Sequence, residues 1–467
     1  MKIIGREQEQ KELQRLLNSD NSEFVMIYGR RRVGKTFLVR ETLGKDFCFA
    51  MTGLAKQNRK AQLLNFQRTL ARYSKRLAKN TPADWYEAFE QLRTLLEHSK
   101  MRRKVVFLDE LPWMDTPKSN LVSALEHFWN DWASTRSDIM LIVCGSAASW
   151  LVKNIEDNKG GLHNRLTAKI RILPFTLHET HLFLRYKGIR WDAAKEAQCY
   201  MTMGGVPYYL NLLDKNYGIA ENIDRLFLKE EALLADEFQH LYASLFTHSD
   251  EYVEIVKALS KKKMGLSRNE ILTQTKRLDG GSLTRRLKDL CECGFVNKYY
   301  VHGIVDALYQ LVDFYSLFYF QFLQPSQKKK QIVWRELMLT SGYATWCGLA
   351  FERLCFAHIP QIKHALGIAG VSTQTYALYK ENAQIDMVIE RSDKIIDLCE
   401  IKFTDRPYAL SKREAELLSN RAEVLMHSFK SRRTIEIVLI SNQDAMRNMH
   451  YNSLINKNIT LDGLINI

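Results

Sequence analysis

Phe24-Val25-Met26-Ile27-Tyr28-Gly29-Arg30-Arg31-Arg32-Val33-Gly34-Lys35-Thr36 is the stretch that decides the fold. Its first five residues form an unbroken apolar run ending at a glycine, the pattern of a strand buried on both faces. Glycines then stand at 29 and 34, a lysine at 35 and a hydroxyl at 36. Glycines let backbone N–H groups wrap phosphate oxygens, the lysine reaches the β/γ-phosphates and the hydroxyl ligates Mg²⁺. A helix predicted from Thr36 onward adds its N-terminal dipole to the anion site. The expected contacts with ATP are Gly29, Arg30, Arg31, Arg32, Val33, Gly34, Lys35, Thr36 and Phe37.

Working outward, short apolar runs alternate with amphipathic stretches over the first 180 or so residues, the sign of a parallel α/β sheet. Strands are expected at 24–28, 47–51, 104–108, 140–144 and 170–173. The run Val105-Val106-Phe107-Leu108 ends in Asp109-Glu110. An acid at the end of such a strand holds the Mg²⁺ (Asp109), and the next one orients or deprotonates the attacking water (Glu110). Another apolar run ends in Cys144-Gly145-Ser146, and Ser146 is the candidate polar group beside the γ-phosphate. Arg165 is left with three readings: a sensor in cis, a finger toward a neighbouring subunit of a homo-oligomer, or an ordinary surface arginine.

Two further motifs carry a family resemblance. Ile3-Ile4-Gly5-Arg6-Glu7-Gln8-Glu9 and Gly204-Gly205-Val206-Pro207 flank these elements in chain order. Together with Gly29–Thr36 and Asp109-Glu110 they resemble the STAND and related archaeal-type AAA+ P-loop ATPases. The resemblance implies that Ile4, Gly5 and Arg6 pack by the nucleotide base and that the segment around Pro207 closes over it. Many members carry an arginine after the fourth strand, where this chain has Gly145-Ser146. Which arginine reads the γ-phosphate therefore stays open.

Residues from about 187 to 245 read as helical. From 251 to 301 the pattern is three short helices and then an apolar β-like run, with Ser267-Arg268-Asn269-Glu270 in capping-box form. The helix 283–291 is expected to turn Leu283, Leu287 and Leu290 inward and Arg285, Arg286 and Lys288 outward. A hairpin (295–300 and 307–311, turning at His302-Gly303) completes the outline of a winged helix. Gln324 to Lys330 is the linker candidate. Beyond it the expected order is a helix at 333–358, strands near 375–380, 384–390 and 394–403, a helix at 408–428 and a strand at 434–441.

Asp386 lies on the second of these strands and Glu400 and Lys402 share one face of the third, because strand side chains alternate. Two carboxylates and a lysine on one face suit Mg²⁺ binding and attack on a phosphodiester. Asp386…Glu400-Ile401-Lys402 within that element order resembles the PD-(D/E)XK nuclease superfamily, which implies that Glu352, on the preceding helix, completes the metal site. The usual leading Pro-Asp is Ile-Asp here.

A chain of 467 residues, 46% hydrophobic and 26% charged, is globular and too long for one core. The expected division is an ATPase core at 1–180, a helical lid at 181–245, a winged helix at 246–323 and a nuclease-like domain at 333–467. The net charge of +14 favours a polyanionic partner, DNA above all. The 8 cysteines show no metal-ligand spacing and fit a reducing cytoplasm. The N-terminus has no apolar signal region, and the apolar run 314–323 is too short to span a bilayer, so no membrane partner is expected. Two functions follow as expectations: an ATP-dependent DNA-processing protein, or a nucleotide-operated switch whose C-terminal fold binds without cleaving.

Overall fold

The computed structural model describes residues 2–158, 160–229, 231–275, 280–300, 306–326, 333–380, 383–429 and 433–466. Two compact units emerge: Met1–Leu173 with Leu245–Thr247 and Lys288–Gly294, and the rest of the chain from Pro174.

The first unit is a parallel sheet of β1 (Glu23–Tyr28), β2 (Phe47–Thr52), β3 (Lys104–Asp109), β4 (Ile139–Gly145) and β5 (Ala168–Arg171) in the order β2-β3-β4-β1-β5. Alternate residues feed two cores, one on each face. Phe24, Met26, Val106, Leu108, Leu141 and Val143 pack on one side; Val25, Ile27, Val105, Phe107, Met140 and Ile142 pack on the other. This two-sided burial explains why the strands read as continuous apolar runs. Leu121, Leu125, Phe128 and Trp132, which fall on one face at helical spacing, are buried in the first of these cores. The last strand is shifted from the expected 170–173 to Ala168–Arg171. Ile172 N–H still donates to the Tyr28 carbonyl at 2.8 Å, but Pro174, two residues on, has no N–H with which to extend the ladder.

The second unit begins with helix Leu177–Tyr186, which precedes the stretch read as helical; helices Ala193–Met203, Pro207–Asn211, Ile219–Ile223 and Glu237–Leu245 fall within that stretch. Next come helix Ser249–Ser260, β6 (Leu266–Ser267), helix Arg268–Gln274, helix Gly280–Glu292, β7 (Val296–Tyr299) and β8 (Leu308–Leu311). The three strands pair antiparallel in the order β6-β8-β7. The Ser267/Glu270 capping box is formed. The hairpin turn at His302-Gly303 and residues 327–330 of the expected linker lie outside the described residues.

Two expectations need correction here. Leu283, Leu287 and Leu290 do face inward, but Arg286 is buried with them, paired with Glu251 and stacked on the Tyr252 ring at 5.5 Å. Position 286 lies between the inward positions 283, 287 and 290 on the helix, so its charge needs an internal partner. Only Arg285 and Lys288 of the expected basic face are exposed. The single helix expected at 333–358 is divided into Trp334–Met338 and Ser341–Ala357. Thr340 breaks it by accepting a hydrogen bond from Tyr343 N–H at 3.2 Å, an N-cap that restarts the helix.

The C-terminal sheet holds β9 (Thr373–Lys380), β10 (Ala383–Arg391), β11 (Ile395–Lys402), β12 (Thr434–Ser441) and β13 (Lys457–Thr460) in the order β13-β12-β11-β10-β9. β9, β10 and β11 form the antiparallel meander; β11, β12 and β13 run parallel. Helix Lys412–Met426 provides the crossover between β11 and β12. β13 was not anticipated. It has only four residues, Lys457-Asn458-Ile459-Thr460, and just one of them is apolar.

Candidate functional site

The C-terminal ends of β1, β2, β3 and β4 carry the polar residues of the first site, the edge at which open α/β sheets bind ligands. Gly29 follows β1 with φ +148, and a Cβ there would lie 2.2 Å from the Ile172 carbonyl oxygen, so only glycine fits. The loop leads into helix Lys35–Leu43. The Lys35 ammonium is buried and donates to the carbonyls of Gly29 (2.8 Å) and Arg30 (2.9 Å) of its own loop. The neighbouring arginines differ in setting: Arg30 is buried, Arg31 lies over the Trp113 ring at 5.8 Å, and Arg32 has φ 72. Val33 is buried in the core and Phe37 is exposed.

Thr36 and Asp109 meet directly. The Thr36 hydroxyl lies 3.1 and 3.0 Å from the two Asp109 carboxylate oxygens. Thr52, at the end of β2 and in register with Asp109, donates to the same carboxylate at 3.4 Å. Thr52 was missed in the sequence; its one signal was a hydroxyl ending the otherwise apolar Phe47–Met51. A hydroxyl and a carboxylate at this spacing are the oxygen donors Mg²⁺ takes in such sites, so the residues fit the ion.

Glu110 has φ 48, a left-handed conformation that costs a non-glycine residue about 1–3 kcal/mol. Its Oε2 accepts from Ser146 N–H at 3.0 Å and from Ser146 Oγ–H at 2.9 Å. β4 lies between β1 and β3 and so brings Ser146 to Glu110. Gly5 and Arg6 both have positive φ. The Arg6 guanidinium donates to the carbonyls of Val33 (3.4 Å) and Leu173 (2.5 Å), tying the N-terminal motif to the phosphate loop. Ile4, beside them, is only partly buried. Arg165 stands apart: it is exposed, reaches the Gly161 carbonyl at 3.4 Å, and bonds to none of Lys35, Thr36, Asp109, Glu110 or Ser146 among the described residues. Pro207 belongs to the second unit, where it starts helix Pro207–Asn211.

The second constellation lies within the second unit. Glu400 is buried and grips two cations, Lys402 Nζ at 2.6 Å and Arg421 Nη1 at 2.7 Å. Burial works against the charge on Lys402, but Glu400 and Asp386 outweigh it and hold the ammonium above its ordinary range. Asp386 accepts from Ile401 N–H at 3.2 Å. Glu352 on helix Ser341–Ala357 pairs with Lys263, whose Nζ also lies 3.8 Å from Asp386. Burial, with help from Asp386, pushes the Glu352 carboxyl up to about 7, while Lys263 pulls it down. The expected residues therefore lie near one another. Yet among the described residues no three His, Cys, Asp or Glu side chains are gathered to hold a metal ion. Glu352, Asp386 and Glu400 as arranged do not fit Mg²⁺, because ammonium and guanidinium groups already balance them. Arg421 and Lys263 were not legible in the sequence, since both lie far from the motif in ordinary charged stretches.

Fold and first site together define a P-loop ATPase domain. Residues 3–213 match an ATPase domain family described as predominantly from Archaea, and the chain carries such an archaeal-type ATPase domain in its N-terminal region. An uncharacterised protein of Methanocaldococcus jannaschii is 23% identical over 411 residues, spanning 86% of this chain and 88% of that one. The Walker-type ATPase of Pyrococcus abyssi superposes with a TM-score of 0.51 at 17% identity, over 68% of this chain and 96% of that one, a likeness of fold. The Aeropyrum pernix ORC2 protein, solved as ADPNP and ADP complexes, superposes with a TM-score of 0.42 at 16% identity over 70% of this chain and 95% of that one. No helix among the described residues is long and apolar enough to cross a membrane.

Proposed function

We propose that this protein hydrolyses ATP and couples nucleotide state to an action on DNA through a winged-helix-like segment and a nuclease-like C-terminal segment. The observation that carries the ATPase half is the meeting of Thr36 with Asp109 and of Ser146 with Glu110 at one sheet edge. Lys35 and the loop N–H groups bind the phosphates, and Thr36 and Asp109 would hold Mg²⁺. The ion would supply charge neutralisation at the β/γ-phosphates. Glu110 orients the attacking water and takes its proton. Ser146 holds Glu110 at one oxygen and so controls when that carboxylate faces water. Arg6 fixes the loop from behind.

The DNA half is supported by the net charge of +14, by the helix–strand–helix–helix–hairpin order of residues 249–311, and by Asp386, Glu400 and Lys402 on adjoining strands. The test is cleavage of single-stranded, duplex and branched DNA with Mg²⁺ or Mn²⁺, with and without ATP. If ATP or DNA rearranges the cation-paired carboxylates so that they can take the ion, wild type should cleave at least one substrate and Lys402→Ala none. No cleavage of any substrate under ATP would remove the nuclease half. The second reading, a switch whose C-terminal segment binds but does not cleave, is favoured by the fully compensated carboxylates around Lys263 and Arg421. Unchanged DNA affinity in Lys402→Ala with no cleavage by either protein would select it.

A further inference from the structure

Lys263 lies in the turn 261–265 that follows helix Ser249–Ser260, far in sequence from the C-terminal sheet. The turn is held on the β7–β8 pair. Gln310 Nε2 donates to the Lys263 carbonyl at 2.7 Å, and the Tyr299 hydroxyl donates to the Met264 carbonyl. Gly265, φ +81, closes the turn where a Cβ would stand 2.1 Å from the Tyr309 carbonyl oxygen. The Lys263 backbone is therefore set by the hairpin, and its side chain spends that position on Glu352 and Asp386. Those two carboxylates come from different elements, a helix and β10. A long, flexible cationic side chain loses rotamer freedom when it is fixed between two acids. It is held because two neighbouring half-buried carboxylates repel each other unless a cation lies between them.

We infer that the Lys263 ammonium is a built-in plug: it takes the place of a divalent cation between Glu352 and Asp386 and keeps the nuclease-like site closed until turn 261–265 is drawn back. The inference rests on the nuclease-like reading of that site. It makes the hairpin the release: a ligand that displaces β7–β8 moves the turn, and the vacated carboxylates then demand a cation. It also accounts for a motif-complete site that, among the described residues, gathers no metal-holding group.

The test is Mn²⁺ titration by calorimetry on the full chain without nucleotide, comparing wild type, Lys263→Met, Lys263→Arg, Asp386→Asn and Lys263→Met/Asp386→Asn. Lys263→Met should bind Mn²⁺ at least tenfold more tightly than wild type, and the gain should vanish in the double variant. Lys263→Arg, which keeps the charge, should behave as wild type, separating the plug from general damage at position 263. If Lys263→Met and wild type bind equally and Asp386→Asn abolishes binding in wild type, the plug is overturned while the metal site stands. If no variant binds Mn²⁺, both the plug and the metal-dependent reading of this site fall.

Discussion

At the residue scale, Glu110 shows how a side chain is made ready for chemistry. Its left-handed backbone turns the carboxylate to the end of β4, where both donors of Ser146 take one of its oxygens. Such strain persists where surrounding contacts over-determine it, here on the residue expected to act as base. Glu110→Gln keeps size and hydrogen-bonding capacity but removes the basic oxygen. ATP binding should remain within a few-fold of wild type while turnover falls by about 10²- to 10⁴-fold, the usual worth of a general base. Fluorescent-nucleotide binding and phosphate release measure the two quantities separately, and a Gln variant with near-normal turnover would take the base role from Glu110. The identities of Lys35, Thr36, Asp109 and Glu110 were legible because each sits at a fixed offset from an apolar run. Thr52 was not, because its approach to Asp109 depends on the pairing of β2 with β3, which no local pattern states.

At the element scale, His358 joins two helices. Its Nδ1–H donates to the Leu354 carbonyl at 2.8 Å, and its Nε2 accepts Leu177 N–H at 2.8 Å, one of the unpaired donors at the start of helix Leu177–Tyr186. Acceptance at Nε2 requires the neutral ring, and burial lowers its pKa from 6.5 to about 4. In the unfolded chain the ring takes up its proton first as pH falls, so the unfolded state binds more protons between these values. The stability His358 contributes is therefore complete above about pH 6.5 and is lost progressively toward pH 4, by about 3 kcal/mol in all. Denaturant melts of wild type and His358→Gln should show their difference shrinking by roughly that amount between pH 7 and pH 4. A difference that does not change with pH would contradict the assignment. Apart from β13, the strands of both large sheets could be read from apolar runs, but this helix junction could not. Nor could the burial of Arg286, because helical spacing places a residue on a face without saying how wide the buried stripe is.

At the scale of the whole molecule, the chain combines an archaeal-type ATPase domain with a C-terminal sheet whose polar groups are balanced by Lys263 and Arg421. Element order announced both, since the 2-3-4-1-5 sheet and the meander-crossover sheet each need a definite succession of strands and helices. The state of the second site was not announced, because the cation that closes it comes from a turn 89 residues before Glu352. The coupling proposed between nucleotide and DNA depends on the first site turning over nucleotide. The direct measurement is Mg²⁺-dependent ATP hydrolysis by the purified full chain beside Lys35→Ala. Wild type should release phosphate, and Lys35→Ala should lose about 100-fold or more of that rate, the scale expected for removing a cationic clamp on the transferred phosphoryl group. Equal rates in the two proteins, or none in wild type, would contradict the account.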